Sequence, residues 1–165
     1  MENEFFEIDQ DVLRKYSGKG KNVTVPLGVR TIVTEAFCGC DEIEEITLER
    51  TVTVFNHAAL GSMPNLKTVY FLCKDTMTMR TSIFYGSKSP ITIVYAGESD
   101  TFLKSVAPYT INRHEYDPYT GRVYSENSTY YPLGHRFGDS VIYKVTCLGD
   151  GKSFTLKGTD GKPYF

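Results

Sequence analysis

The chain repeats itself, and the length of the repeat limits what it can fold into. With residues 52–71 written beneath residues 29–48, an offset of 23, eight apolar positions coincide. They are Val29 with Val52, Ile32 with Phe55, Ala36 with Ala59, Phe37 with Leu60, Cys40 with Met63, Ile43 with Leu66, Ile46 with Val69 and Leu48 with Phe71. A third copy follows at an offset of 24, where Met79 answers Phe55, Ile83-Phe84 answer Ala59-Leu60, Ile93 answers Val69 and Tyr95 answers Phe71. Val23 and Val25 stand 23 residues before Ile46 and Leu48 and mark a partial earlier copy. A period of this length belongs to stacked units, since one copy cannot bury its apolar face alone whereas several together make a continuous core.

The end of each copy alternates. Ile43-Glu-Glu-Ile46-Thr-Leu48 and Leu66-Lys-Thr-Val69-Tyr-Phe71 have the form L-x-x-L-x-L, and Pro90-Ile-Thr-Ile93-Val-Tyr95 keeps its last part. Alternation predicts a short strand with one face buried, while the earlier apolar residues pack a turn or short helix across from it. The full pattern V-x-x-I-x-x-x-A-F-x-G-C-x-x-L-x-x-I-x-L, as it stands over residues 29–48, resembles the BspA-like leucine-rich repeats of bacteria and some parasites. Leu13-Arg-Lys-Tyr-Ser-Gly18 followed by Val23-Thr-Val-Pro26 is similar to the start of such arrays. The resemblance covers residues 12–105, is closest in the first full copy and loosest in the third. It implies a leucine-rich solenoid serving as a protein- or surface-binding scaffold, adhesion-like in role, and brings no catalytic residues with it.

The expected fold is therefore a β-rich α+β solenoid: a short leucine-rich-repeat array of 23–24-residue period with short parallel strands, closed by a C-terminal helix and an antiparallel β-hairpin. Residues 1–105 make the array with its N-terminal cap; residues 106–165 make a Tyr-rich loop and a β cap or small appended module. The helix is expected from Ser99, with Ser99 or Asp100 as its cap and Pro108 ending it. The hairpin is expected from the alternation of Val141, Tyr143, Val145 and Cys147, the turn at Gly149-Asp-Gly-Lys and the strand Ser153-Phe-Thr-Leu-Lys157, with a further turn signal at Asp160-Gly161. At 165 residues the chain buries enough surface to need no staples.

Two groups of residues are candidates for partner contact. Outward strand positions line the concave side of such a stack, and by register these are Glu45, Thr47 and Glu49, then Thr68 and Tyr70, then Thr92 and Val94. They form rows Glu45–Thr68–Thr92 and Thr47–Tyr70–Val94, which residues 106–140 either leave open or cover. The second group is the segment 109–140, where six of the twelve tyrosines fall between Tyr109 and Tyr131. Tyr119, Tyr124, Tyr130 and Tyr131 are its contact candidates, since tyrosine among small polar residues offers area at low entropic cost; the alternative is a lid whose rings pack on the array.

Other chemistry finds little footing. Cys38-Gly-Cys40 has no second cysteine pair to complete a zinc site, and Cys73 and Cys147 stand alone. Cys40 falls in the core slot filled by Met63 and Ser87, where a free cysteine acts as a small hydrophobe; Cys38 falls at an exposed, oxidisable turn position. Gly151-Lys-Ser153 ends like a phosphate loop, but Thr146 stands where its first glycine is required. Asp150 and Asp160 lack calcium-loop spacing. His57 falls at a surface turn; His114 and His135 lie in the Tyr-rich segment with no nucleophile placed beside them, so a hydrolase is the weakest reading. The net charge of −2 gives no case for nucleic acid or an anionic membrane, and no apolar run is long enough to span a bilayer. The N-terminus has no signal-peptide pattern, which predicts a cytoplasmic protein, or a surface or secreted one if the chain is a fragment of an exported protein. The expected function is non-enzymatic protein binding with no cofactor and no metal. The alternative is a structural role, as a spacer or as part of a homo-oligomer, with no small-molecule ligand.

Overall fold

The computed structural model describes residues 2–88, 90–133, 141–157 and 163–164. A 3-10 turn over Glu2–Phe5 leads into β1 (Phe6–Asp9) and β2 (Val12–Tyr16). Long and short strands then alternate: β3 (Asn22–Val25), β4 (Thr31–Ile32), β5 (Glu45–Leu48), β6 (Val54–Phe55), β7 (Thr68–Phe71), β8 (Thr78–Met79) and β9 (Ile91–Tyr95). Helix α1 (Ser99–Val106) follows, then β10 (Tyr109–Tyr116), β11 (Val123–Tyr130), β12 (Ile142–Cys147), β13 (Lys152–Lys157) and β14 (Pro163–Tyr164). Each coil of the solenoid contributes one long and one short strand, so the repeat builds two sheets at once. The long sheet has the order β14-β13-β12-β9-β7-β5-β3 and the short one β1-β2-β4-β6-β8.

The register is that of the repeat. Ile46 pairs with Val69 and Val69 with Ile93, all in parallel; Val23 pairs with Ile46 in the same sense. On the short sheet Thr31-Ile32 pair with Val54-Phe55, and those with Thr78-Met79. Inward side chains thus stack slot on slot: Val23, Ile46, Val69, Ile93 and Val145 from the long sheet face Leu13, Ile32, Phe55 and Met79 from the short one, all buried. A third wall comes from the turns, where Phe37, Leu60 and Phe84 are buried in turn. The turns share a backbone device as well as a side-chain slot. Glu35, Ala58 and Ser82 all take positive φ, as do Gly39, Ser62 and Gly86 four residues later. Each coil therefore turns through two left-handed positions, whatever residue occupies them.

The array does not stop at β9. Strand β12 pairs with it in parallel, Val145 opposite Ile93, so β12 is the long strand of one more coil. Residues 131–133 supply that coil's turn: Ser82 N–H donates to Tyr131 O (3.1 Å), Ile83 N–H to Pro132 O (3.0 Å), and Leu133 is buried, its carbonyl accepting the Tyr143 hydroxyl at 3.0 Å. Its short strand is replaced by α1, whose buried Phe102 sits among Phe71, Tyr95 and Phe154 at centroid distances of 6.4, 5.3 and 6.3 Å. The Ser105 hydroxyl accepts Met77 N–H at 2.8 Å, which ties the helix to the open edge at β8. Strand β13 then turns back antiparallel on β12, as the alternation of both segments predicts.

Two expectations are corrected. Neither Ser99 nor Asp100 caps α1: Glu98 holds the cap position with no side-chain bond to the helix. The cap comes from the β12–β13 turn, where one Asp150 oxygen accepts Ser99 N–H (2.9 Å) and the Ser99 hydroxyl (2.6 Å). These bonds hold the Asp150 carboxyl below its usual range. Sequence reasoning weighed only local caps and could not see a partner 51 residues away. The Tyr-rich segment, read as a loop, is an antiparallel ribbon of eight residue pairs from Tyr109–Tyr130 to Tyr116–Val123. His135 and the Asp160-Gly161 turn signal lie outside the described residues.

Candidate functional site

The parallel register carries the outward residues into rows just as it does the inward ones. One row runs Asn22, Glu45, Thr68, Thr92, Lys144; the next runs Thr24, Thr47, Tyr70, Val94, Thr146. The two predicted rows are thus present in the predicted register, each extended by a residue at both ends. A third row lies one pleat further along, where the ladder continues past the strand ends. Glu49 N–H donates to Val25 O, Leu72 N–H to Leu48 O, Ala96 N–H to Phe71 O and Leu148 N–H to Tyr95 O, at 3.4, 3.0, 2.9 and 2.8 Å. The row is Pro26, Glu49, Leu72, Ala96, Leu148.

The face changes character along the stack. At β5 it is acidic, with Glu45 and Glu49 half-buried on either side of Thr47. From β7 to β12 the second and third rows turn apolar except at Thr146: Tyr70, Leu72, Val94 and Ala96 are half-buried side by side, and Leu148 is 63% exposed. A sheet face left to solvent normally carries polar residues against an apolar inner face. Here five apolar side chains adjoin one another on the outer face, bordered by Glu45, Glu49, Thr92 and Thr146. Of these five, sequence reasoning reached Tyr70 and Val94. It missed Leu72, Ala96 and Leu148, which fall just past the strand ends. The signal was the continued alternation after Phe71, Tyr95 and Cys147.

The ribbon candidates divide differently. Tyr119 is 97% exposed at the tip and Tyr131 36% exposed near the base, whereas Tyr130 is half-buried and stacks on Tyr109 with centroids 5.5 Å apart. The Tyr124 side chain lies outside the described residues. Among the described residues the ribbon is a two-stranded sheet of its own, hydrogen-bonded to no strand of the array. The ribbon tip, with Tyr116, Tyr119 and Val123 exposed, is not seated on the outward face, and the strand and ribbon candidates lie on separate elements.

The remaining chemistry-bearing groups are accounted for locally. Cys40 is buried, its Sγ 3.3 Å from Tyr16 O, and burial, then Glu42, pushes its thiol up. Burial does the same to Cys73, and takes Cys147 to about 11. Cys38 is exposed, as its turn position predicts. Beside it an open depression is lined by Lys15, Lys19, Asp41 and Glu42, charges of both signs. His57 is exposed at a turn, its Nδ1 2.7 Å from Thr81 Oγ1. His114 is exposed on β10, opposite Ser125 in the register. Among the described residues no three His, Cys, Asp or Glu side chains gather as a metal centre would require, and no helix is long and apolar enough to cross a membrane.

A stack of 23-residue coils, each giving one long strand to a common sheet with an open outer face, is a leucine-rich-repeat solenoid. The particular family is that of the BspA type leucine rich repeat region, whose model matches residues 3–106 in six copies, and the chain belongs to it. The match begins ahead of the first copy legible by eye and takes in β1. No curated protein and no solved structure matches the chain.

Proposed function

We propose that the chain is a non-catalytic protein-binding module whose contact surface is the outward face of the long sheet. The observation that carries this reading is the apolar group Tyr70, Leu72, Val94, Ala96 and Leu148 on a face otherwise built of Thr, Glu, Lys and Asn, with Pro26 at its far end. Contiguous exposed apolar surface rimmed by polar groups marks interaction sites on soluble proteins. Its shape favours a macromolecule: five parallel strands at about 4.8 Å spacing give an open face roughly 19 Å across, not an enclosed cleft. Tyr70 stands at its centre, where an aromatic anchor contributes most, and Glu45, Glu49 and the threonines supply the polar rim. The adhesion-like use that the repeats imply is one case of the same contact.

The test is the affinity of Tyr70→Ala for a partner captured by the intact chain. The expected result is a loss of about tenfold or more, the order of a hot-spot truncation, at unchanged melting temperature. Unchanged affinity would remove the outward face as the site and leave the ribbon.

A further inference from the structure

We infer that a second copy of this chain is a partner of the outward face, and that it docks there with the tip of its β10–β11 ribbon. The inference rests on the reading of that face as a protein-binding surface and names its occupant.

The tip is an exposed apolar knob. Tyr116 and Val123, directly opposite in the register, are 66% and 65% exposed, and Tyr119 between them is 97% exposed. It is also held in one shape. Asp117 N–H donates to Arg122 O and Gly121 N–H to Asp117 O, both at 2.8 Å, with Gly121 at φ +73°. Asp117 Oδ1 accepts Tyr119 N–H at 2.8 Å and so fixes the backbone that presents the ring.

Two-stranded ribbons standing alone in water are marginal, and need a third strand or a packing surface for independent stability. Among the described residues this one pairs with no third strand. Nor is its own outward face within easy reach. The ribbon leaves α1 and returns through Tyr131 and Pro132 onto Ser82 and Ile83. Its root is therefore at the corner between the short sheet and the turns, across the coil from the long sheet. A second molecule presents its outward face to the tip without that constraint.

The two surfaces match in chemistry. The knob offers two tyrosine rings, a valine and the exposed cation of Arg122; the face offers Tyr70, Leu72 and Leu148 beside the carboxylates of Glu45 and Glu49. Two paired strands about 5 Å apart also fit within a face roughly 19 Å across. Edge-to-edge pairing at β3, one other route to self-association, is opposed by Lys19 and Lys21, which lead into that strand.

The test is light scattering of the full chain over a wide range of concentration. Two variants accompany it, both first shown to keep the wild-type melting temperature: a tip variant, Tyr116→Ser with Tyr119→Ser, and a face variant, Tyr70→Ser with Leu148→Ser. The expected result is a mass that climbs above the 18.6 kDa of one chain as concentration rises. Each variant alone should associate at least tenfold more weakly, and an equimolar mixture should recover association, because each supplies what the other lacks. If the face variant misfolds, Leu148→Glu alone replaces it, since that side chain is mostly in solvent. A wild type monomeric throughout, or a tip variant that associates as well as wild type, would overturn the proposal. Either result leaves the binding of other proteins to the face intact, because that reading is decided by Tyr70→Ala against a captured partner.

Discussion

Cys38 and Cys40 are two residues apart and live in different media. The repeat decides which is which: position 40 shares its slot with Met63 and Ser87 inside the stack, and position 38 lies on the outside of the turn. Because the thiolate is the reactive form, burial that raises the thiols of Cys40, Cys73 and Cys147 makes them inert near neutral pH. A disulfide-exchange reagent on the folded protein should therefore titrate one thiol quickly, lost in Cys38→Ser, with three more released only by denaturant. Two fast thiols in the native state would contradict this placement. The same slot holds Ser87, whose Oγ is buried with no hydrogen-bond partner. Ser87→Ala should raise stability by up to about 1 kcal/mol in chemical denaturation, since it removes a desolvated hydroxyl from a position the other coils fill with Cys or Met. The turn glycine gives the reverse case. Gly39 has φ +88° and open space where a Cβ would go. Gly39→Ala should thus cost about 1 kcal/mol through backbone conformation alone, and no loss would mean that the turn relaxes.

At the scale of elements, what was legible in the sequence was what repeats. Long strands, their parallel register and the outward rows through Glu45 and Thr47 follow from a period of 23, because a stacked coil repeats its environment as well as its residues. The short strands over 31–32, 54–55 and 78–79 were reached only as the far wall of the core, being two residues long. What was not legible is what happens once. The ribbon interrupts the coil between α1 and Leu133, so Val145 stands 52 residues after the Ile93 it pairs with, and no fixed offset reveals that β12 continues the sheet. The cap on α1 is of the same kind. Asp150 reaches Ser99 because Gly149 stacks on Gly97, its N–H donating to Gly97 O at 2.9 Å. A Cβ on Gly149 would meet that carbonyl carbon at 2.6 Å, so Gly149→Ala should loosen both the turn and the helix start. Since the folded Asp150 carboxyl titrates below its unfolded value, its contribution is present above about pH 4 and is lost as pH falls through the lower, folded value. Asp150→Ala should accordingly melt below wild type at pH 7, with the gap closing under acid. A gap unchanged down to pH 2 would show that the carboxylate is not the cap.

For the whole molecule, the division of labour follows from the topology. The inner rows are hydrophobic and hold the coils together; the turns and α1 close the core. Among the described residues one face of the long sheet is left over, and from β7 onward it is more apolar than solvent alone explains. Sequence reasoning found Glu45, Thr47, Thr68, Tyr70, Thr92 and Val94, which lie within the strands, and Glu49 one position past β5. It missed the apolar third row, since Leu72, Ala96 and Leu148 follow the last alternating core residue of each coil. The most direct measurement is site-specific photo-crosslinking in source-cell extract from a benzophenone side chain at position 148, on the outward face. An identical probe at position 85, an exposed site on the turn wall, is the control. The expected result is a discrete adduct from position 148, a second copy of the chain included, that is absent at position 85 and lost when Tyr70→Ala is added. Adducts of equal yield from both positions, or from position 85 alone, would contradict the assignment of binding to the outward face.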